Sequence, residues 1–249
     1  MRFVRFEFQG QVRYGQVEGD RVLALDGDLF GRWQTTDAAY PLAGVRLLAP
    51  VQPSKILAVG LNYRSHLKGR SEPQKPELFW KPSSAVIGPD EAIVLPSDAG
   101  NTHPEGELVV VIGQRASHVS VSDASRCVFG YTIGNDVSER NWQEGDRQWW
   151  RAKGCDTFAP LGPWIETDLD LAAATLSTRI NGEVVQSGAL TELIFGVPEV
   201  ISFVSRYVTL EPGDVIYTGT PGHTRAMDPG DRIDIEISGL GTLSNSVMG

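Results

Sequence analysis

Residues 103–113, His-Pro-Glu-Gly-Glu-Leu-Val-Val-Val-Ile-Gly, constrain this chain more than any other stretch. The unbroken apolar run Leu108–Ile112 predicts a buried strand. Two carboxylates, Glu105 and Glu107, stand at its mouth, two positions apart. On a strand, residues i and i+2 share a face and lie about 6–7 Å apart. Two acids on one face beside an apolar core repel each other and are costly to desolvate. A chain that keeps them there either supplies a cation or leaves both solvated at the strand end. This stretch alone admits both readings.

The acidic balance, 31 Asp and Glu against 22 Lys and Arg, gives no bulk attraction to nucleic acid or an anionic membrane. With 249 residues, 41% hydrophobic and 21% charged, the make-up is that of a soluble globular protein. Cys127 and Cys155, the two cysteines, offer neither a disulfide framework nor a zinc-ligand spacing. The opening Met-Arg-Phe-Val-Arg-Phe-Glu-Phe alternates apolar and charged residues, a strand pattern rather than a signal peptide. The longest apolar runs are far too short to span a bilayer. The expected location is the cytoplasm.

Residues 1–50 predict a small antiparallel β subdomain, with strands near Phe3–Phe8, Gln11–Val17 and Arg21–Leu25. Residues 51–249 form the remaining unit. Strands are expected at Ile56–Gly60, Leu78–Pro82, Ile93–Leu95, Glu107–Ile112, Tyr131–Asp136, Leu176–Ile180, Glu183–Val185, Val215–Gly219, Ile233–Ile237 and Thr242–Val247. Asn181-Gly182 marks a hairpin turn. Ser122 is read as the cap of a short helix through Val128, and Pro198–Val208 as the clearest helix. Lys68–Pro76, polar and holding Gly69, Pro73 and Pro76, reads as a mobile lid. Many strands, few helices and no regular βαβ alternation give an α+β, mostly β fold class.

Asp136 ends its own apolar strand behind Gly134-Asn135. A neighbouring strand would bring it beside Glu105 and Glu107. Three oxygen ligands with no cysteine nearby suit a hard cation, Mg²⁺, Mn²⁺ or Ca²⁺. Three acids at unrelated loop ends is the alternative. Lys153 beside such a centre would stabilise an enolate or oxyanion, against the default of a surface lysine. His66, between a buried strand and the polar stretch, suits a general base on a closing element, or a solvated loop histidine. The turn Thr218-Gly219-Thr220-Pro221-Gly222 has backbone N–H groups and a hydroxyl for a substrate carboxylate, or is a plain turn.

Taken together, six segments in order resemble the fumarylacetoacetate hydrolase family. They are Gly60-Leu61-Asn62-Tyr63-Arg64-Ser65-His66, Leu78-Phe79-Trp80-Lys81-Pro82, Glu105-Gly106-Glu107-Leu108 with the Val-Val-Ile-Gly that follows, Gly134-Asn135-Asp136-Val137-Ser138-Glu139-Arg140, Lys153 with Asp156-Thr157-Phe158, and Thr218-Gly219-Thr220-Pro221-Gly222. The match runs from about Pro53 to the C-terminus. The resemblance implies a mixed β-roll, usually a homodimer. It implies a divalent cation, Mg²⁺ or Mn²⁺, on Glu105, Glu107 and Asp136, and a small 2-oxo or 2,4-dioxo acid as substrate, as in aromatic catabolism. Lys153 would stabilise the enolate and His66 would move a proton. Tyr63, Arg140 and Thr220 would bind substrate.

One departure bears on the reaction. Many family hydrolases carry a glutamate three residues after the histidine, where this chain has Gly69. Glu72 is the nearest acid that could substitute. His223-Thr224-Arg225-Ala226-Met227 also replaces a small, Gly-rich segment, either adding Arg225 as a carboxylate partner or forming a surface loop. The expected activity is hydrolysis of a C–C bond in an acylpyruvate-like substrate. The alternatives are an isomerase, tautomerase or decarboxylase of a 2-oxo or 2-hydroxy-dienoic diacid, towards which Gly69 tilts, and a non-catalytic, cation-stabilised binding protein.

Overall fold

A computed structural model of the chain describes residues 1–67 and 69–249. The N-terminal region holds β1 (Arg2–Phe8), β2 (Gln11–Glu18), β3 (Arg21–Gly27), β4 (Trp33–Pro41) and β5 (Arg46–Leu48). Next come β6 (Ile56–Gly60), β7 (Glu77–Lys81), β8 (Val86–Ile87), β9 (Ile93–Val94), β10 (Thr102–His103) and β11 (Gly106–Ile112). Helix α1 (Val121–Ala124) leads to β12 (Val128–Asn135) and β13 (Ser138–Glu139). Two short helices, α2 (Arg140–Gly145) and α3 (Trp150–Gly154), precede β14 (Ala159–Glu166). The hairpin β15 (Thr175–Ile180) and β16 (Glu183–Ala189), helix α4 (Val197–Ser205), and β17 (Val215–Tyr217), β18 (Arg232–Ile237) and β19 (Gly241–Met248) follow. The fold is α+β and mostly β, as the sequence pattern indicates.

Twelve strands form one sheet in the order β4-β3-β2-β1-β14-β12-β11-β17-β6-β7, with β5 joined to β1 and β8 to β14. A second sheet of five strands runs β16-β15-β18-β19-β9. Strand β11 lies in the middle of the large sheet, antiparallel to both β12 and β17. Every residue from Gly106 to Ile112 is buried. Their alternation sorts the core. Leu108, Val110 and Ile112 join the cluster shared with α4 and the second sheet, including Val200, Ile201, Ile235 and Leu243. Val109 and Val111 join the opposite cluster with Phe3, Ile56, Leu161 and Ile165. The N-terminal strands have apolar contacts of their own through Val4, Phe6, Val22 and Ala24. They are also zipped to the large sheet where Arg2 and Phe3 pair with Glu166 and Ile165.

Several elements differ from the sequence expectation. Strand β14 is fully central but was not expected, because Pro160 and Pro163 argue against an interior strand. It accommodates them through a register irregularity opposite β12. Helix α1 is capped by Ser120, whose Oγ accepts from the Asp123 N–H, rather than by Ser122. It turns 3₁₀ at Ser125–Cys127, and β-branched Val128 already opens β12. Helix α4 ends at Ser205 rather than Val208. The hairpin turn matches its dipeptide: Asn181 and Gly182 both take positive φ, 53° and 83°. The expected lid opens on Lys68, which lies outside the described residues, and residues 69–76 hold neither helix nor strand. No helix among the described residues is long and apolar enough to cross a membrane.

Strand β17 leads into the Thr218–Gly222 turn, and a buried carboxylate sets the start of the strand. Asp214, 0% exposed, accepts from Ser54 Oγ at 2.6 Å, Lys55 N at 3.0 Å and Glu211 N at 2.7 Å, and pairs with Lys55 Nζ at 2.5 Å. Its backbone carbonyl accepts from Ile112 N–H at the end of β11. Asp214→Ala would leave two part-buried backbone donors, Lys55 N and Glu211 N, without their acceptor. It is expected to cost about 2–3 kcal/mol, read as a lower urea midpoint at unchanged slope.

Candidate active site

The β11–β12 register builds the site. Gly106 pairs with Asn135 and Glu107 with Gly134, so Asp136 leaves β12 beside Glu105. The Asp136 N–H donates to Glu105 O at 2.9 Å, and the Glu105 N–H to Asn135 Oδ1 at 2.9 Å. Gly134 is required by close packing: a Cβ there would lie 2.4 Å from Tyr217 Cε1. One carboxylate oxygen from each of Glu105, Glu107 and Asp136 falls within 4.8 Å of the others, and all three residues are buried. This excludes the reading of unrelated loop acids.

Three cations answer the three acids, but unevenly. Lys153, on α3, donates from Nζ to Glu105 Oε2 and Asp136 Oδ2, both at 2.6 Å. Lys81, at the end of β7, reaches Asp136 Oδ1 at 2.5 Å and also donates to the Lys153 carbonyl. Arg140, opening α2, places Nη2 2.6 Å from Glu105 Oε1 and Nη1 2.7 Å from Gln143 Oε1. Glu107 contacts no cation among the described residues; its Oε2 accepts only the Gly219 N–H, at 2.7 Å. Burial pushes Glu105 up, but Lys153, Arg140 and His66 outweigh it and hold the carboxyl well below the usual range. Burial, then Asp136 and Glu105, push Glu107 well above that range. Burial lowers Lys153, yet Asp136 and Glu105 more than offset it and raise its pKa. Burial lowers Lys81 despite Asp136.

A cavity of about 410 Å³ opens over this cluster. His66, Arg140, Lys153, Thr220 and the three carboxylates line it, with Leu61, Phe79 and Trp149 as an apolar wall. Phe79 and Trp149 meet edge to face at 5.5 Å, and Lys153 Nζ sits 5.0 Å from the Phe79 ring centre. His66 lies in a 3₁₀ turn, Arg64–His66. Its Nδ1 is 2.5 Å from Gly222 O, and since a carbonyl only accepts, Nδ1 carries the proton. Its Nε2 faces Glu105 Oε1 at 3.6 Å. Burial lowers its pKa.

Two expected substrate contacts sit otherwise. Tyr63 is fully buried, does not line the cavity, and its hydroxyl has no hydrogen-bond partner among the described residues. The Thr220 hydroxyl donates to Gly106 O at 2.7 Å and accepts from Gln186 Nε2 at 2.8 Å, so its proton is already committed. Arg140 faces the cavity but is shared with Glu105. Glu72 does not replace the missing glutamate: it pairs with Arg64 at 2.6 Å, both are exposed, and it does not line the cavity. Arg225 pairs with Glu183 on the surface. Lys81 joins the site from the Leu78–Pro82 segment, where its place just before Pro82 at a strand end is the one local signal of a role. Gln186 carried no signal, since it joins the site only through sheet topology.

Fold and site together define a β-sheet scaffold carrying a buried carboxylate triad of the kind that could hold a metal ion. The chain belongs to the fumarylacetoacetate hydrolase family: the fumarylacetoacetate (FAA) hydrolase C-terminal family profile matches residues 55–248, and the Rv2993c-like N-terminal profile matches residues 1–50. A 2-hydroxyhepta-2,4-diene-1,7-dioate isomerase from Mycobacterium marinum superposes with a TM-score of 0.94 at 42% identity, covering 100% of this chain and 98% of that one. Human mitochondrial oxaloacetate tautomerase is 40% identical over 84% of this chain and 71% of its own length. A maleylpyruvate hydrolase from Sphingobium sp. SYK-6, solved with manganese(II) and pyruvate, gives a TM-score of 0.82 at 31% identity, covering 100% and 99%. Family members thus include isomerases, tautomerases and hydrolases.

The uneven pairing of the acids yields a test. Glu107→Gln keeps an acceptor for the Gly219 N–H and, because the Glu107 carboxyl is already pushed towards its neutral form, removes little charge from the metal-free protein. The metal-free variant is expected to melt within about 2 °C of wild type. Added Mn²⁺ should raise the wild-type midpoint strongly and the variant's little, measured by scanning calorimetry.

Proposed function

We propose that this protein is a divalent-cation-dependent enzyme that interconverts the keto and enol forms of a small 2-oxo dicarboxylate. The observation that carries the reading is the state of His66. Water activation for C–C hydrolysis is helped by a carboxylate behind the histidine. Here Nδ1 meets the Gly222 carbonyl, residue 69 is a glycine, and Glu72 is turned away. A neutral carbonyl fixes the tautomer but supplies no negative charge to an imidazolium. Keto–enol exchange asks less: one base to move a proton between carbon and Nε2, and a stabilised enolate.

Glu105, Glu107 and Asp136 fit a hard cation: they are oxygen donors only, mutually close and buried, and Glu107 has no other cationic partner among the described residues. A cation held there, Mg²⁺ or Mn²⁺, supplies Lewis-acid stabilisation of negative charge on oxygen. Lys153 Nζ, buried and charged, adds a second positive centre beside the same oxygen. His66 Nε2 takes the proton. Phe79, Trp149 and Leu61 limit water at that face.

Charge supports a dianionic substrate. Among the described residues, the three acids are matched by Lys81, Lys153 and Arg140, and the two other charged groups lining the cavity, Arg70 and Glu144, cancel. A divalent cation leaves two positive charges, which a dicarboxylate neutralises and a monoacid does not.

Proton NMR in D₂O with oxaloacetate, acylpyruvates and hydroxydienoic diacids tests the reading. Deuterium wash-in without fragments is expected for the diacids, and excess chelator should abolish it. Two fragments from one substrate would instead make the protein a hydrolase. Lys153→Met is expected to lower kcat about 10²–10³-fold, with cation stoichiometry retained by calorimetry. Full turnover in that variant would remove Lys153 from the chemistry.

A further inference from the structure

The Gly60-Leu61-Asn62 segment leaves β6 at the floor of the cavity with an unusual backbone. Leu61 takes φ 57°, uncommon for a bulky residue. Such a conformation persists only where the surroundings over-determine it. Asn62 supplies that constraint. It is 1% exposed, accepts the Phe195 N–H at Oδ1 (2.8 Å), and donates from Nδ2 to Phe195 O (3.0 Å) and Thr218 O (2.8 Å). The Phe195 N–H can meet only an oxygen, so the orientation of the amide is fixed.

Thr218 O and Gly219 N belong to one planar peptide, and in a trans peptide they point opposite ways. Asn62 holds the oxygen end. The nitrogen end donates to Glu107 Oε2 at 2.7 Å. A Cβ at residue 219 would lie 2.8 Å from Asn62 Cβ, so the two residues are also in direct packing contact. Gly219 takes φ 101°, open to glycine and strained for other residues. A donor on the carbonyl polarises the peptide and strengthens its N–H as a donor.

We propose that Asn62 is a positioning residue for Glu107, acting through the single Thr218–Gly219 peptide to aim that carboxylate at the cation. The proposal rests on the reading of Glu107 as a cation ligand. Groups that orient metal ligands affect affinity by about 10–100-fold, and Glu107 is the one member of the triad that no lysine or arginine among the described residues orients. Asn62 also fastens the root of the segment carrying His66, so one amide fixes the start of that segment and one face of the cation site.

A double-mutant cycle on Mn²⁺ affinity tests this, by calorimetry and electron paramagnetic resonance on the full chain. Asn62→Ala is expected to weaken Mn²⁺ binding about 10–100-fold in the wild-type background. In the Glu107→Gln background, already weaker, the same change should add less than about a twofold loss, because the path ends at Glu107. An equal loss in both backgrounds would make Asn62 a staple of the fold and overturn the proposal. Weak Mn²⁺ binding by wild type, or undiminished binding by Glu107→Gln, would instead overturn the cation reading and this proposal with it. Should Asn62→Ala fail to fold, Asn62→Ser with the Gly219 amide proton shift decides. In the metal-free wild type that proton should lie downfield and move upfield in the variant; an unchanged shift overturns the proposal.

Discussion

The structure depends on how three buried carboxylates are compensated. Taking one ion out of water costs several kcal/mol even after relaxation, and Glu105, Glu107 and Asp136 are all 3% exposed or less. Two lysines as buried as the acids meet this cost for Asp136 and, with Arg140, for Glu105. Lys153 is the hinge of the arrangement, since it touches both acids and hands its own carbonyl to Lys81. The compensation stops short of Glu107. That asymmetry, more than the proximity of the acids, marks where a metal ion could be held.

The fold can hold this cluster because β11 is surrounded. With β12 on one side and β17 on the other, its backbone groups are taken up by neighbours, and its side chains divide cleanly between two apolar clusters. The strand end carrying Glu105 and Glu107 cannot shift by one residue without sending Val109 and Val111 to the wrong face. The register of the core is therefore the register of the site. The cation partners arrive from elsewhere, Lys81 from β7 and Lys153 from α3, and only the sheet order brings them to one place.

This explains what the sequence could disclose. The apolar run of β11 and the period-two pattern of β1–β3 are local signals, and those strands are where the pattern puts them. Glu105 and Glu107 were legible as a pair because they lie on one strand. Asp136, Lys153, His66 and Thr220 became a constellation only through the motif order of a family, because no spacing along the chain encodes a meeting across strands. Strand β14 was hidden by its prolines, whose local preference was overridden by burial between β1 and β12. The engaged hydroxyl of Thr220 was hidden because its partner, Gln186, belongs to the second sheet.

The environment of His66 links reaction type to the same geometry. Gly222 engages the segment twice: its N–H donates to Ser65 Oγ at 3.0 Å and its carbonyl accepts from His66 Nδ1–H. The turn that presents Thr220 thus also sets the tautomer of His66, leaving Nε2 as the nitrogen toward the cavity. A glutamate at position 69 would add a charged group to this segment; apart from its chain neighbours, nothing among the described residues lies within 4 Å of where its Cβ would start. Space does not exclude it, but φ 83° disfavours it locally, because that backbone conformation favours glycine. The glycine that shapes this turn of the chain and the absence of a carboxylate behind His66 are one feature. A carboxylate introduced behind His66 at position 69 would therefore work against the local backbone path as well as change a side chain.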